Sequence, residues 1–387
     1  MTSSSIPAQT QGGATILEIE QQPGAWREVA SRDDQQTAAF LREPLSRPDL
    51  RIILTGAGSS AFAGEIAAPA LRRHLGRGMN GRRVEAIATT SIVSSPRDHL
   101  EPGTPTLLVS FGRSGNSPES LATTALADSF VDEVWHLVFT CDPDGELARA
   151  HTGRADSAVV CMPVRTNDTG FAMTSSLTSM LLSCLSILGP AGRTDAEALA
   201  RAAEHLTGLQ ADIRALAGAK KQRFVYLGSG PLEGLARESA LKLLELTAGE
   251  VVTYFDSPLG FRHGPKSVLD SDTLVVVYVS TDPYTRRYDL DIIAEIRTQL
   301  GQDAVTVIST EPIPEALGPA VVLPGLTGVD DAVVAIAYLV FAQYLALFTS
   351  LELGKTPDNP FPSGEVSRVV KGVTIYPVEP TDDSTRG

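Results

Sequence analysis

One stretch of this chain occurs twice, and the repetition restricts the fold more than any other feature of the sequence. RIILTGAGSSAFAGE, Arg51 to Glu65, aligns with RFVYLGSGPLEGLARE, Arg223 to Glu238. Each is an apolar run, a Gly-x-Gly turn and a stretch of helical composition, the pattern of a β-strand entering a helix through a tight turn. Downstream, TLVVVYVS, Thr273 to Ser280, holds the place that TLLVS, Thr106 to Ser110, holds in the first half. Strands are expected at Val84 to Ile92, Leu107 to Ser110, Glu133 to Thr140 and Ala158 to Val160. These runs alternate little between apolar and polar residues, so they read as strands covered on both faces. The expected fold class is α/β: two doubly wound, flavodoxin-like parallel sheets related by internal repeat.

Between the repeats, a helix from Leu185 through Leu206 to Leu216 should bridge the halves. The expected division is a disordered tail at 1–24, a first domain at 25–192, a second at 193–357, and a C-terminal lid and tail at 358–387. The opening residues are rich in Ser, Gln, Gly and Thr and lack a basic segment followed by an apolar core, so no export signal is read. Ala332 to Phe348 is apolar enough to attract attention but carries Gln343, and reads as a helix buried in a core or an interface.

Charge excludes some functions. The net charge is −14 with Lys and Arg scattered, which opposes binding to nucleic acid or to an anionic membrane. The three cysteines have no CxxC spacing, so neither a disulfide scaffold nor a zinc site is expected. A reducing cytoplasm fits. The six histidines show no ligand spacing, and no metal is expected.

Three stretches carry candidate chemistry. In SFGRSGNSPES, Ser110 to Ser120, a buried strand breaks into a Ser/Gly turn at a helix N-terminus, where N–H groups and the helix dipole converge on an anion. Arg113, Ser114 and Ser117 lie in it, and Ser59 and Ser60 add hydroxyls from the first repeat. Gly56 to Ala61 also satisfies G-x-G-x-x-A, but a dinucleotide site needs an acid at the end of the next strand, and Thr89, Thr90 and Ser91 stand there. On the helix from Pro231 to Ala248, Glu238, Lys242 and Glu245 share one face of an otherwise apolar segment, which points to a cleft. In DSPLGFRHGP, His263 stands beside Gly264-Pro265 in a loop, a residue type suited to proton transfer.

GAGSSAFAGE, SFGRSGNSPES, ARESALKLLEL and HGP, in this order, resemble the sugar isomerase (SIS) superfamily in the double-domain form of the isomerase half of glucosamine-6-phosphate synthase. SFGRSGNSPES, NDTGFAMTSS and DSPLGFRHGPKS more closely resemble AgaS-type proteins, a group of galactosamine-6-phosphate deaminases or tagatose-6-phosphate ketose/aldose isomerases. The resemblance spans Trp26 to Pro377. It implies phosphate binding by Ser60, Ser114 and Ser117 with Ser59 adjacent. It further implies Glu245 as the catalytic base, Lys242 as its helix lysine, His263 in ring opening and Lys371 as the C-terminal lysine. Gly112 and Arg113 replace a serine and a glutamine of the synthase, so Arg113 gives a charged contact instead.

The resemblance also implies a homodimer or homotetramer, with His263 crossing to a neighbouring subunit, a small phosphosugar as ligand and no cofactor. No room is seen for an ammonia-supplying domain. The expected activity is deamination of an aldohexosamine 6-phosphate, with the galacto sugar favoured, to a ketohexose 6-phosphate and ammonia. The alternatives are a plain phosphosugar isomerase and a non-catalytic sugar-phosphate sensor.

Overall fold

The computed structural model describes residues 13–76, 81–368 and 372–378. The first part of the chain gives α1 (Gly13–Glu20), α2 (Gln22–Ser31), α3 (Gln35–Leu41), β1 (Arg51–Thr55), α4 (Ser59–Leu75), β2 (Arg83–Ala86), α5 (Thr89–Ser94) and α6 (Pro96–His99). It continues with β3 (Thr106–Gly112), α7 (Pro118–Phe130), β4 (Val134–Thr140), α8 (Glu146–His151), β5 (Ser157–Cys161) and α9 (Ser175–Leu188). Then come α10 (Arg193–Gly208), α11 (Gln210–Ala217), β6 (Arg223–Gly228), α12 (Pro231–Leu246), β7 (Val252–Asp256) and β8 (Thr273–Tyr278). The last elements are α13 (Thr285–Leu300), β9 (Val305–Ser309), β10 (Val321–Val322) and α14 (Asp331–Glu352).

Two five-stranded sheets result, ordered β2-β1-β3-β4-β5 and β7-β6-β8-β9-β10, with every pairing parallel. Both have the flavodoxin-like order, with the strand sequence reversing beside the first strand of each copy. The register is shared as well: Arg51 pairs with Thr106 and Arg223 with Thr273.

The turns after β1 and β6 match closely. Gly58 (φ 56°, ψ −128°) and Gly230 (φ 59°, ψ −123°) precede α4 and α12 in a conformation that suits glycine alone. A Cβ at Gly56 would lie 2.5 Å from the Ser60 side chain, and one at Gly228 2.3 Å from the Leu232 carbonyl. The two helices then pack on each other, and Gly234 permits the contact because a Cβ there would lie 3.0 Å from Ile66.

The halves share one core. It runs from Ile52 and Val109 through α4, α9 and α12 to Phe224, Tyr226 and nearly the whole of α14. Every α14 residue from Asp331 to Ser350 is buried. That helix is long and apolar enough to cross a membrane by composition, but it is enclosed by the rest of the fold. Smaller clusters cover the outer faces: Ile53, Ile92 and Leu108 on the first sheet, and Val275, Val277 and Ile293 on the second.

Several expectations are corrected. Residues 13–24 are helical rather than a disordered tail, because Asp358 accepts from the Ala14 and Thr15 N–H groups and the Thr15 hydroxyl, and Ile19 joins the core. The strand expected over Val84 to Ile92 ends at Ala86, and Thr89 opens α5. The bridging helix expected from Leu185 to Leu216 is interrupted: α9 stops at Leu188, and α10 starts after Gly189-Pro190 and the Gly192 cap.

Candidate active site

The first strand-end turn encloses a cavity of about 120 Å³ lined by Ser60, Arg113, Ser114 and Ser117, together with Ala57, Phe111, Met173 and Arg368. This is far below the 300–1,000 Å³ of a drug-sized ligand site and suits a single compact group. Each side chain arrives by a local cause. Ser60 opens α4 behind the Gly58 turn, Arg113 and Ser114 follow β3, and Ser117 caps α7 ahead of Pro118.

Several of these polar groups are open. The nearest partner of the Ser60 hydroxyl is the Met173 sulfur at 4.0 Å, and Ser114 only accepts from Asn116 N–H at 3.4 Å. Ser117 donates to Glu119 at 2.6 Å. Arg113 is 7% exposed, its Nη2 donates to the Arg368 carbonyl at 3.2 Å, and its Nη1 has no partner among the described residues. Burial lowers the pKa of this guanidinium and the Arg368 charge adds to the effect, while Asp168 and Glu245 oppose it. A buried, half-satisfied cation beside open hydroxyls attracts an anion.

The second half contributes α12. Glu238, Lys242 and Glu245 lie along one face of it, the first two fully buried and Glu245 about a quarter exposed. The Lys242 ammonium is 2.5 Å from Glu245 and 3.4 Å from Glu238. Burial alone would lower the lysine pKa, but the two carboxylates outweigh it and the net shift is upward. Burial pushes Glu238 up to about 7, against the pull of Lys242 and a contact from Ser59. Neither Glu238 oxygen has a well-aligned hydrogen bond.

Ser59 thus faces Glu238 and does not line the cavity, whereas Ser60, Arg113, Ser114 and Ser117 do. Glu245 reaches the same neighbourhood, since its charge acts on Arg113 and Lys242. His263 is exposed, between two short 3-10 turns, and is not among the residues lining this cavity. Lys371 lies outside the described residues.

Arg368 is the residue that the sequence analysis missed. Its Nη1 donates to the Asp168 and Thr169 carbonyls at 2.9 and 2.7 Å, fixing the C-terminal segment over the cavity. Asp168 in turn accepts from Thr174 N–H and from the N–H and hydroxyl of Ser176, which holds Met173 in the wall. Asp168 belongs to the NDTGFAMTSS stretch that carries the family resemblance, six residues ahead of the α9 N-cap Thr174. Arg368 left no comparable signal. Among the described residues no group of three or more His, Cys, Asp or Glu is placed to hold a metal ion.

Two matched sheets with a serine- and arginine-lined cavity at the strand-order reversal, and a carboxylate–lysine pair whose charge acts on that arginine, define a class, and the chain belongs to the SIS domain family, whose model matches residues 45–188. Its relatives include AgaS proteins. The AgaS protein of Streptomyces coelicolor is 52% identical over 381 residues, covering 96% of this chain and 97% of that one. The D-galactosamine-6-phosphate deaminase AgaS of Escherichia coli O157:H7 is 47% identical, covering 96% and 97%. Among solved structures, the tagatose-6-phosphate ketose/aldose isomerase from Escherichia coli superposes with a TM-score of 0.87 at 45% identity, covering 96% of this chain and 99% of that one.

Proposed function

We propose that this protein deaminates an aldohexosamine 6-phosphate, the galacto sugar favoured, to the corresponding ketohexose 6-phosphate and ammonia. One observation carries the reading. Arg113, buried and with its Nη1 unpartnered among the described residues, lines a serine-rich cavity sized for a phosphoryl group, and the charge of Glu245, which pairs with Lys242, acts on it. The deaminase names of the relatives support the direction of the chemistry.

In this mechanism Ser60, Arg113, Ser114 and Ser117 hold the phosphate, and that binding energy positions C1 and C2 at α12. His263 moves a proton from the C1 hydroxyl to the ring oxygen and opens the ring. Glu245 takes the C2 proton, O1 takes a proton from water that the C2 amino group gives back as the imine forms, and an enaminol results. Glu245 then returns its proton to C1, leaving a C2 imine. Water adds to that imine, ammonia departs, and the ketone remains. Lys242 stabilises the charge that develops on O1. Lys371 would close over the sugar. No step needs a cofactor.

His263 serves a neighbouring copy in this reading, which makes the protein a homodimer or homotetramer. Its exposure fits, as does that of the apolar Leu244, Val252 and Leu259. The three free thiols suit the cytoplasm.

The name of the Escherichia coli structural relative favours a second reading, aldose–ketose isomerisation with the same residues and no nitrogen released. Ammonia release from galactosamine, glucosamine and N-acetylated hexosamine 6-phosphates separates the two. The proposal expects release from an unacetylated hexosamine phosphate; ketose formation from an aldose phosphate with no ammonia from any of them leaves the isomerase.

A further inference from the structure

The register that pairs Thr55 with Ser110 in the first sheet pairs Leu227 with Val277 in the second, so Ser280 and Thr281 occupy the positions of Arg113 and Ser114. A cleft of about 770 Å³ opens there, with Ser229, Thr281, Asp282, Arg286 and Asp331 among its lining residues. It has the strand register and the preceding glycine turn of the first cradle. Its donors, however, are already engaged.

Asp289 of α13 accepts from Ser280 N–H at 2.9 Å and from the Ser229 hydroxyl at 2.7 Å. Asp331, in the first turn of α14, accepts from Thr281 N–H at 2.7 Å, from the Thr281 hydroxyl at 2.8 Å, and from the Ser280 hydroxyl. Two backbone N–H groups and three hydroxyls thus converge on two carboxylates, the donor types that bind a phosphate ester. Both carboxylates are buried, and burial raises the pKa of each. Arg286 borders the cleft as Arg113 borders the first cavity, held by the Ser309 hydroxyl and by the Glu311 and Pro312 carbonyls.

We propose that the second copy retains an anion cradle of the phosphate-ester type, and that Asp289 and Asp331 fill it from within. Each chain then presents one working phosphate site, and removing the two carboxylates opens a second. A tethered carboxylate competes with a free anion at high effective concentration, and its charge repels a second anion. Asp282 and Glu311 around the same cleft add to the repulsion, while Asp330 is paired with Arg73.

The inference rests on the repeat and not on the reaction proposed above, so its test uses inorganic phosphate and no turnover. The full chain is titrated with phosphate by calorimetry, in a background where Ser60→Ala and Arg113→Ala disable the first cradle. That background should bind none, and adding Asp289→Ser and Asp331→Ser should restore binding of one phosphate per chain in the millimolar range. A folded quadruple variant that binds no phosphate overturns the proposal. Should the serine substitutions prevent folding, Asp289→Asn with Asp331→Asn keeps the shape and removes both charges. Phosphate binding to that variant is then required, and its absence overturns the proposal equally.

Discussion

The turn after β3 and the turn after β8 lie in the same register of the same fold, yet one leaves its polar groups open and the other closes on them. In the first copy, Ser60 and Ser114 have weak contacts and Arg113 keeps a nitrogen without a partner among the described residues. In the second, Ser229, Ser280 and Thr281 all donate to Asp289 or Asp331. Backbone geometry alone therefore does not make a site. A strand-end turn becomes one when its donors lack an internal acceptor. The family model, which matches residues 45–188, falls on the open copy.

The contrast can be pressed hardest through Glu245, the proposed base, which α12 of the second half brings near the open turn of the first. Glu245→Gln should lower kcat by about a thousandfold, in the range for loss of a general base, with KM changed by less than about threefold. Asp331→Asn, at the turn that closes on its own donors, should leave kcat within about twofold. Steady-state kinetics decide it, and equal losses from the two variants would remove the distinction between the copies.

A smaller effect is expected at the guanidiniums. Arg113→Ala should raise KM for the phosphorylated substrate by about 10- to 100-fold, the worth of a charge-assisted hydrogen bond. Arg286→Ala should leave KM unchanged. A rise of similar size in both variants would mean that the second cleft also meets substrate.

Acid provides the third and smallest test. In the first copy, His136 and His151 are buried with ring centroids 4.5 Å apart, and His136 Nδ1 and His151 Nε2 lack partners among the described residues. Burial, with the charges of His136 and Arg154 adding to it, brings His151 down to about 4; burial also lowers His136, against the pull of Asp128. Between that value and the ordinary histidine range the unfolded chain binds more protons, so stability falls as the pH drops. From pH 7 to 5.5 the loss from His151 should be about 1 kcal/mol. In the second copy the sign reverses, because burial raises Asp289 to about 6 and the folded state takes up that proton first as the pH drops. Amide exchange, corrected for intrinsic rates, should show β4 losing protection relative to β8. Parallel changes in the two sheets would sink the prediction.

What could be read from the sequence was local. The repeat, the Gly-x-Gly turns, the serine turn and the Glu238, Lys242 and Glu245 face all follow from spacing within one or two elements, and the structure has these elements where the patterns lie. What could not be read depended on partners far along the chain. Gly13–Glu20 is held by Asp358 and by the contacts of Glu18 with Thr169 and Gly170, partners far along the chain, while the Ser- and Gln-rich residues around it look like a tail. Arg368 sits in a Pro-rich segment without periodicity and acquires its place only by meeting the Asp168 and Thr169 carbonyls. The Val84 to Ile92 strand failed for a different reason. Thr89 and Ile92 have the β-branched composition of a strand, but the chain turns at Ile87-Ala88 to bury Ile92 against the outer face of the first sheet.

The wholly enclosed α14 also limits how this molecule can be taken apart. Its flanks meet helices on either side of the chain's midpoint, α4 and α9 as well as α11 and α12. Neither half split off at the midpoint could keep it wrapped. The fragment without it would expose the groove it fills, and the fragment with it would carry a bare greasy rod prone to clumping. The duplication visible in the sequence has thus become a single inseparable folding unit.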